Sequence, residues 1–226
     1  MATLSSTQIG IAARRPLRAA ALLEVGAMVA ILLSYIWWWQ GAFPGASLLM
    51  VALYFGIGIL SHARRGERPR EIGIAPHRLP RALRNVALVV VPAIAVTLAI
   101  GSAMDSWHFR GWEHPIIAVT SMLAWATAQQ YGLLCFFYRR FCDIFVSRWA
   151  ASAGASAVFA TMHAPNGFLI AVTAAAGLVA CALYRRVPNV LAIGIGHAAL
   201  SYVLLCALPF TVTHGLRVGP GYLALP

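Results

Sequence analysis

The sequence contains no lysine: all 17 of its basic residues are arginine, and only six residues are acidic. The net charge of +11 would suit a nucleic-acid-binding protein, but 61% of the chain is hydrophobic and only 10% is charged. This composition, with a mean hydropathy of +0.77, is typical of membrane proteins. The arginines lie at the ends of apolar runs, so we expect a lipid bilayer as partner and no nucleic acid.

Motifs that would indicate other classes of site are also missing from the sequence. There is no Cys-x-x-Cys pair, no His-Glu-x-x-His motif and no glycine-rich phosphate loop, so the sequence calls for no metal and no cofactor. A channel is disfavoured, because each helix carries only one polar position and no internal repeat is evident. The four cysteines lie in or beside apolar runs and are interpreted as small buried residues: Cys135, Cys142, Cys181 and Cys206.

Apolar stretches of spanning length predict an all-α polytopic membrane protein with about seven transmembrane helices. The first run lacks a small-residue cleavage motif, so we expect it to span rather than to be removed. We predict a cytoplasmic segment over 1–16, one transmembrane domain over 17–208 and an irregular tail over 209–226. An interfacial elbow is predicted over 71–83. The predicted spans are 17–39, 46–61, 85–103, 115–138, 150–163, 168–184 and 190–208.

The arginines predict how these spans cross the membrane. With the N-terminus inside, 15 of the 17 arginines fall on the cytoplasmic side, and only Arg110 and Arg217 fall outside. This asymmetry favours an N-in, C-out topology. We expect an integral membrane protein, in the cytoplasmic (inner) membrane of a bacterium.

Polar residues inside the apolar stretches mark a candidate site. Gln129 and Gln130 are adjacent amides in the fourth stretch, where unpaired polar groups are costly. Two later stretches carry His163 and His197 as expected partners. At about 1.5 Å per residue, Gln129 and His197 lie roughly 15 Å, and His163 about 22 Å, from the arginines at their cytoplasmic ends. These side chains can therefore meet near the middle of the bilayer.

Helical spacing adds further residues to this candidate site. Phe159 and His163 share a helix face, as do His197 and Ser201. Asn166, in the Ala-Pro-Asn break after His163, is placed to cap a helix or to line the same cavity. A single histidine or glutamine in a membrane is more often a link between helices than a catalytic group. The convergence of four such residues leaves a functional site and a structural network equally open.

Two other side chains have competing interpretations. Glu24 lies inside the first span, where a carboxylate is a functional candidate, but we favour a pair with a nearby arginine or a position near the headgroups. Cys135 could act as a nucleophile, but it lies more than a helical turn from Gln130, and burial is the favoured reading.

The motifs resemble those of the CPBP family, the CAAX-protease and bacteriocin-processing membrane proteins known as glutamic intramembrane endopeptidases. The resemblance covers about residues 60–205. That family has Glu-Glu-x-x-x-Arg on one helix, Phe-x-x-x-His on the next and His-x-x-x-Asn/Asp on a late helix. Here Gln129 and Gln130 occupy the glutamate positions of the first motif. The stretch from Phe159 to His163 matches the second motif, and His197 begins the third. The resemblance implies hydrolysis of a peptide bond in a membrane-embedded substrate.

This chain departs from the family pattern at the residues that matter most. Glutamine replaces both glutamates, Leu134 stands at the arginine position and Ser201 at the Asn/Asp position. A glutamine cannot take a proton as a carboxylate does. We therefore expect a histidine as base or water-positioning group and amides as donors, with Tyr131 as a further donor. The alternatives are a non-proteolytic reaction on a small lipophilic molecule and an inactive protein that binds a membrane partner, as an immunity or assembly factor.

Overall fold

The computed structural model describes residues 6–108 and 115–225, with side chains over 17–108 and 116–225. Helices account for the regular structure of this part of the chain, and no strand occurs in it. The principal helices are α1 (Ser6–Ser34), α2 (Ala46–Arg64), α3 (Leu79–Ala103), α4 (Pro115–Gln130), α5 (Arg139–Ile144), α6 (Arg148–Thr161), α7 (Gly167–Arg186) and α8 (Val190–Ala207). The chain ends in two single-turn helices, α9 (Phe210–Thr213) and α10 (Pro220–Leu223).

Five helices are long and apolar enough to cross a membrane, which confirms the all-α class and the membrane-spanning character predicted from composition. The other two predicted spans correspond to a helix that continues from α4 to α5 and to α6. Of these, α6 has only 14 residues, a rise of about 21 Å, which is short of a full hydrocarbon core. The five helical spans are Leu17–Trp39, Ala46–Arg64, Pro76–Ala103, Gly167–Arg186 and Val190–Ala207.

A π-helical segment, Tyr131–Tyr138, joins α4 to α5 and forms the centre of the packed structure. All eight of its residues are buried, and Leu134 and Cys135 have no exposed surface. Its widened turns change the helical register immediately after Gln130, and π-helical turns often occur at functional sites. The Cys135 thiol donates to the carbonyl of Ile72 at 2.8 Å, so this cysteine links the segment to the α2–α3 connection.

The third span begins earlier than predicted. The sequence predicts an interfacial elbow over 71–83, but a 3₁₀ turn at Pro76–Arg78 leads directly into α3 at Leu79. A proline in the first turn, Pro80, is compatible with helix initiation because its missing N–H would have no helical partner there. Arg81 and Arg84 then lie on the exposed side of the helix.

Asparagines begin the last two long helices and tie them to distant loops. Asn189 is 2% exposed and accepts from the Ala192 N–H at 2.9 Å, which caps α8. Its amide also donates to the carbonyl of Ala75 at 2.9 Å, so the start of α8 is fixed against the α2–α3 connection. This anchoring sets the position of α8, which carries His197.

Candidate functional site

A hydrogen bond between α4 and α8 connects two of the predicted site residues. The Gln130 side-chain nitrogen, Nε2, lies 3.0 Å from Nδ1 of His197, and Gln130 is 4% exposed. The two helices approach closely one turn away, because Gly194 packs directly on Thr127. A Cβ at Gly194 would lie 2.9 Å from the Thr127 Cα, so only glycine allows this spacing.

Phe159 brings the two histidines together. Its ring centroid lies 4.8 Å from that of His163 and 6.2 Å from that of His197, and both arrangements are edge-on. The contact with His163 follows the i,i+4 spacing predicted from the sequence. The two imidazoles thus flank one phenyl ring, and each histidine is partly exposed.

The hydrogen-bond partners of the two histidines assign different tautomers to them. An amide nitrogen only donates, so Gln130 Nε2 requires an acceptor at His197 Nδ1, and the ring proton of a neutral His197 then lies on Nε2. His163 Nδ1 lies 2.7 Å from the carbonyl oxygen of Phe159, so that nitrogen donates, and in the neutral imidazole Nε2 keeps its lone pair. His163 therefore offers a proton acceptor and His197 offers a proton donor.

Two further polar atoms at the α4–α8 contact form no hydrogen bond with the described residues. Gln130 Oε1 and Thr127 Oγ1 are buried and have no hydrogen-bond partner among the described residues. They lie one helical turn apart on α4. Gln129 and Ser201 are each partly exposed. The site thus combines a base, a donor and an unpaired amide acceptor.

Tyr131 lies in a different environment from the histidines. Its ring packs against Tyr54, Phe55 and His62, with centroid distances of 5.9, 5.3 and 5.9 Å. Its hydroxyl packs against Gly58 of α2. The structure therefore places Tyr131 towards α2, and not beside the two histidines that Phe159 joins.

Asn166 acts as a structural anchor. It has no exposed surface, and its Oδ1 accepts from the Leu169 N–H at 3.1 Å to cap α7. Its amide donates to the carbonyls of Thr213 and Arg217 at 3.1 and 3.2 Å. The tail, predicted to be irregular, is therefore held against the break that follows His163, and it contains the short helices α9 and α10.

Replacing Asn166 with alanine removes the cap and both bonds to the tail. We expect the free energy of unfolding to fall by about 2–4 kcal/mol, since a helix cap and each buried hydrogen bond contribute about 1 kcal/mol or more. Asn166→Ser keeps a cap acceptor and should lose less. Unfolding in detergent micelles measures both variants, and equal losses would contradict a capping role.

A second polar assembly, here called the charge cluster, lies where α1, α2 and α5 meet. Arg65 joins two acidic residues: its Nη1 lies 2.8 Å from Glu24 and its Nε donates to Asp143 at 3.0 Å. Glu24 thus pairs with an arginine, as favoured from the sequence, and the Ser61 hydroxyl also donates to it at 2.7 Å. The members of the cluster are Glu24, Ser61, His62, Arg65, Glu67, Arg139, Arg140 and Asp143.

Glu67 is the central acceptor of the charge cluster. His62 Nδ1 lies 2.6 Å from one of its oxygens, Arg139 Nε donates to the other at 2.8 Å, and Arg140 donates as well. Burial alone would raise the pKa of Glu67, but the bonds from His62 and Arg139 and the charge of Arg140 lower it to about 2. Glu67 is therefore ionised at neutral pH and holds two arginines.

Sequence reasoning did not find the charge cluster as a unit. From the sequence alone, the topology of the spans is a sufficient explanation for Arg139 and Arg140, and Glu67 simply lies in an arginine-rich stretch. The available signal was the scarcity of acidic residues, since three of only six carboxylates converge here. Within the described residues, no group of three histidine, cysteine or acidic side chains is arranged to hold a metal.

Comparison with known proteins gives no relative for this arrangement. The chain matches no family model, no curated protein and no solved structure. Its function must therefore be inferred from the residues themselves.

Proposed function

We propose that the chain is a divergent CPBP-type intramembrane hydrolase that acts on a membrane-embedded or lipophilic substrate. The observation that carries this proposal is the packing of both imidazoles on the Phe159 ring, together with the hydrogen-bond partner of each Nδ1. In neutral imidazoles these partners assign a lone pair to His163 Nε2 and a proton to His197 Nε2. A base and a donor that share one apolar contact are the minimum that acyl hydrolysis needs when no carboxylate base is present.

The proposed reaction starts with a water molecule bound to His163 Nε2. His163 takes a proton as the water oxygen attacks the substrate carbonyl carbon, and His197 Nε2–H donates to the oxyanion that develops. The bond to the leaving group then breaks, and His163 returns the proton to it. Gln130 holds the His197 tautomer, so it acts as a positioning residue in this scheme.

The unpaired acceptors favour a substrate that carries a hydrogen-bond donor. Gln130 Oε1 has no partner among the described residues, and a peptide N–H would satisfy it. Gln129 is partly exposed and is proposed to orient the substrate carbonyl through its amide. Peptide hydrolysis is therefore preferred over a reaction on a small lipophilic molecule.

The proposal also includes the number of membrane spans and their orientation. Seven spans with the N-terminus in the cytoplasm would place the charge cluster at the cytoplasmic face and the Asn166 anchor at the outer face. The arginine distribution supports this arrangement, and a bacterial inner membrane is the proposed location.

A second candidate is an inactive protein that binds a membrane partner. The buried bond from Gln130 to His197 favours it, because such a bond also serves as a purely structural link between helices. The two candidates differ in one expectation: only an enzyme changes the chemical composition of the membrane.

The deciding experiment compares cells that express the native chain with cells that express His163→Ala/His197→Ala at equal abundance. The matched control is His77→Ala/His108→Ala, because both of these histidines are exposed and lie outside the site. Membrane-protein fragments and lipophilic metabolites are profiled in each case. We expect a new protein terminus in native and control cells that is lost in the site variant.

The other outcomes separate the alternatives. A metabolite that changes without a changed fragment would assign a reaction on a small lipophilic molecule. No difference in either profile, with a membrane partner that still co-purifies with the site variant, would overturn the enzyme and leave the binding protein.

A further inference from the structure

The charge cluster contains hydrogen-bond donors that no group in the described part of the chain accepts from. Arg140 Nε and Nη1 and Arg65 Nη2 are buried and have no hydrogen-bond partner among the described residues. The Arg140 side chain has no exposed surface at all. Each unsatisfied buried donor costs about 1–3 kcal/mol, so three of them on two neighbouring guanidinium groups indicate a missing acceptor.

Asp143 occupies the space between these guanidinium groups but satisfies them poorly. Its Oδ2 accepts from Arg65 Nε at 3.0 Å, yet it lies 3.9 Å from Arg140 Nη1, which is too far for a hydrogen bond. Its side chain is 28% exposed, against 11% for Glu24 and 12% for Glu67. Asp143 is therefore the carboxylate of the cluster that can most easily rotate outward.

The charge of the cluster identifies the kind of anion that fits. Its three arginines are balanced by three carboxylates, so displacement of Asp143 leaves one excess positive charge, apart from His62. A singly charged phosphate group restores neutrality. Its several oxygens also suit the fork geometry of guanidinium groups better than one carboxylate oxygen does.

The neighbourhood of the cluster is suited to a lipid. Leu22 and Leu23, next to Glu24 on α1, are 52% and 76% exposed on a helix long and apolar enough to span the membrane. An acyl chain can pack on these leucines while a headgroup reaches the arginines. Clusters of basic residues at the ends of spans attract anionic headgroups.

We propose that Arg65 and Arg140 form a binding site for a singly charged phosphate group, which displaces the carboxylate of Asp143. The phosphate is supplied by the phosphodiester of an anionic lipid or by free dihydrogen phosphate. Arg140 donates from Nε and Nη1, and Arg65 donates from Nη2. This site is separate from the histidine pair and does not depend on the proposed hydrolysis.

The test uses the full chain in nanodiscs of phosphatidylcholine, with or without phosphatidylglycerol, and measures retained lipid by native mass spectrometry. Preferential retention of phosphatidylglycerol assigns the lipid source. A rise in unfolding temperature when inorganic phosphate replaces chloride at equal ionic strength, in phosphatidylcholine alone, assigns free phosphate. Equal retention of the two lipids together with no effect of phosphate would overturn the site.

Variants make the assignment specific. Asp143→Ala removes the competing carboxylate and should bind the phosphate group about tenfold more tightly, whereas Arg65→Gln should bind it about tenfold more weakly, since a charge-assisted bond is worth about 1.5–3 kcal/mol. The matched control is Arg68→Gln, which should not change binding because Arg68 is an exposed residue of the α2–α3 connection, outside the charge cluster. Because Asp143 is partly exposed, its variant is expected to fold, and unchanged affinity in it would contradict the displacement.

Discussion

Replacing His163 with glutamine is expected to lower the rate of product formation at least 100-fold, whereas His197→Gln retains activity to within about tenfold. General bases contribute about 10²–10⁴-fold, and an amide cannot take a proton at neutral pH. An introduced amide at position 197 can still accept from Gln130 and donate to an oxyanion, so the donor role survives. His197→Ala lacks any donor and should lose about 10²–10³-fold.

The measurement uses purified protein and the product identified by the cell comparison. Nitrogen-15 NMR of labelled histidines provides a readout independent of activity, and it should show a protonated Nδ1 at His163 and a protonated Nε2 at His197. If His197→Gln is as impaired as His163→Gln, the division into base and donor is wrong. If both glutamine variants retain native rates, neither His163 nor His197 takes part in the chemistry.

Sequence reasoning predicted the all-α class and five of the spans, because the length of an apolar run and the thickness of the bilayer constrain each other. It also predicted the contact between Phe159 and His163, since residues four apart on a helix share a face. The hydrogen bond between Gln130 and His197 could be predicted because an unpaired amide in the middle of the bilayer is energetically costly. The two glutamines therefore need partners, and few polar groups are available at that depth.

Other features could not be predicted from one sequence. Tyr131 follows Gln130 in the chain, yet adjacent residues on a helix point in different directions, so proximity in sequence did not place it at the site. The π-helical segment has no compositional signal, because its residues are as apolar as those of an ordinary buried helix. The pairing of Glu67 with Arg139 and Arg140 could not be predicted, because the positive-inside rule already explains why these arginines lie at the end of a span.

Glu67→Gln is expected to lower the free energy of unfolding by about 3–5 kcal/mol, because it leaves Arg140 as a fully buried charge without its partner. The substitution keeps the size of the side chain, so the loss reports the charge and not a cavity. Glu71→Gln is the matched control, because Glu71 is an exposed carboxylate in the α2–α3 connection that also contains Glu67. This substitution should lower the free energy of unfolding by less than about 1 kcal/mol. Chemical unfolding in detergent micelles measures both variants.

The lowered pKa of Glu67 also predicts how the stability of the protein depends on pH. Because the folded-state pKa of Glu67 is lowered from 4.5 to about 2, its contribution is complete above about pH 4.5 and is lost as the pH falls towards 2. The native chain should therefore lose roughly 3 kcal/mol over this range through Glu67. Glu67→Gln has no carboxylate at this position, so its stability should fall less over the same range. Parallel pH profiles for the two chains would show that Glu67 is not the group that holds the arginines of the cluster together.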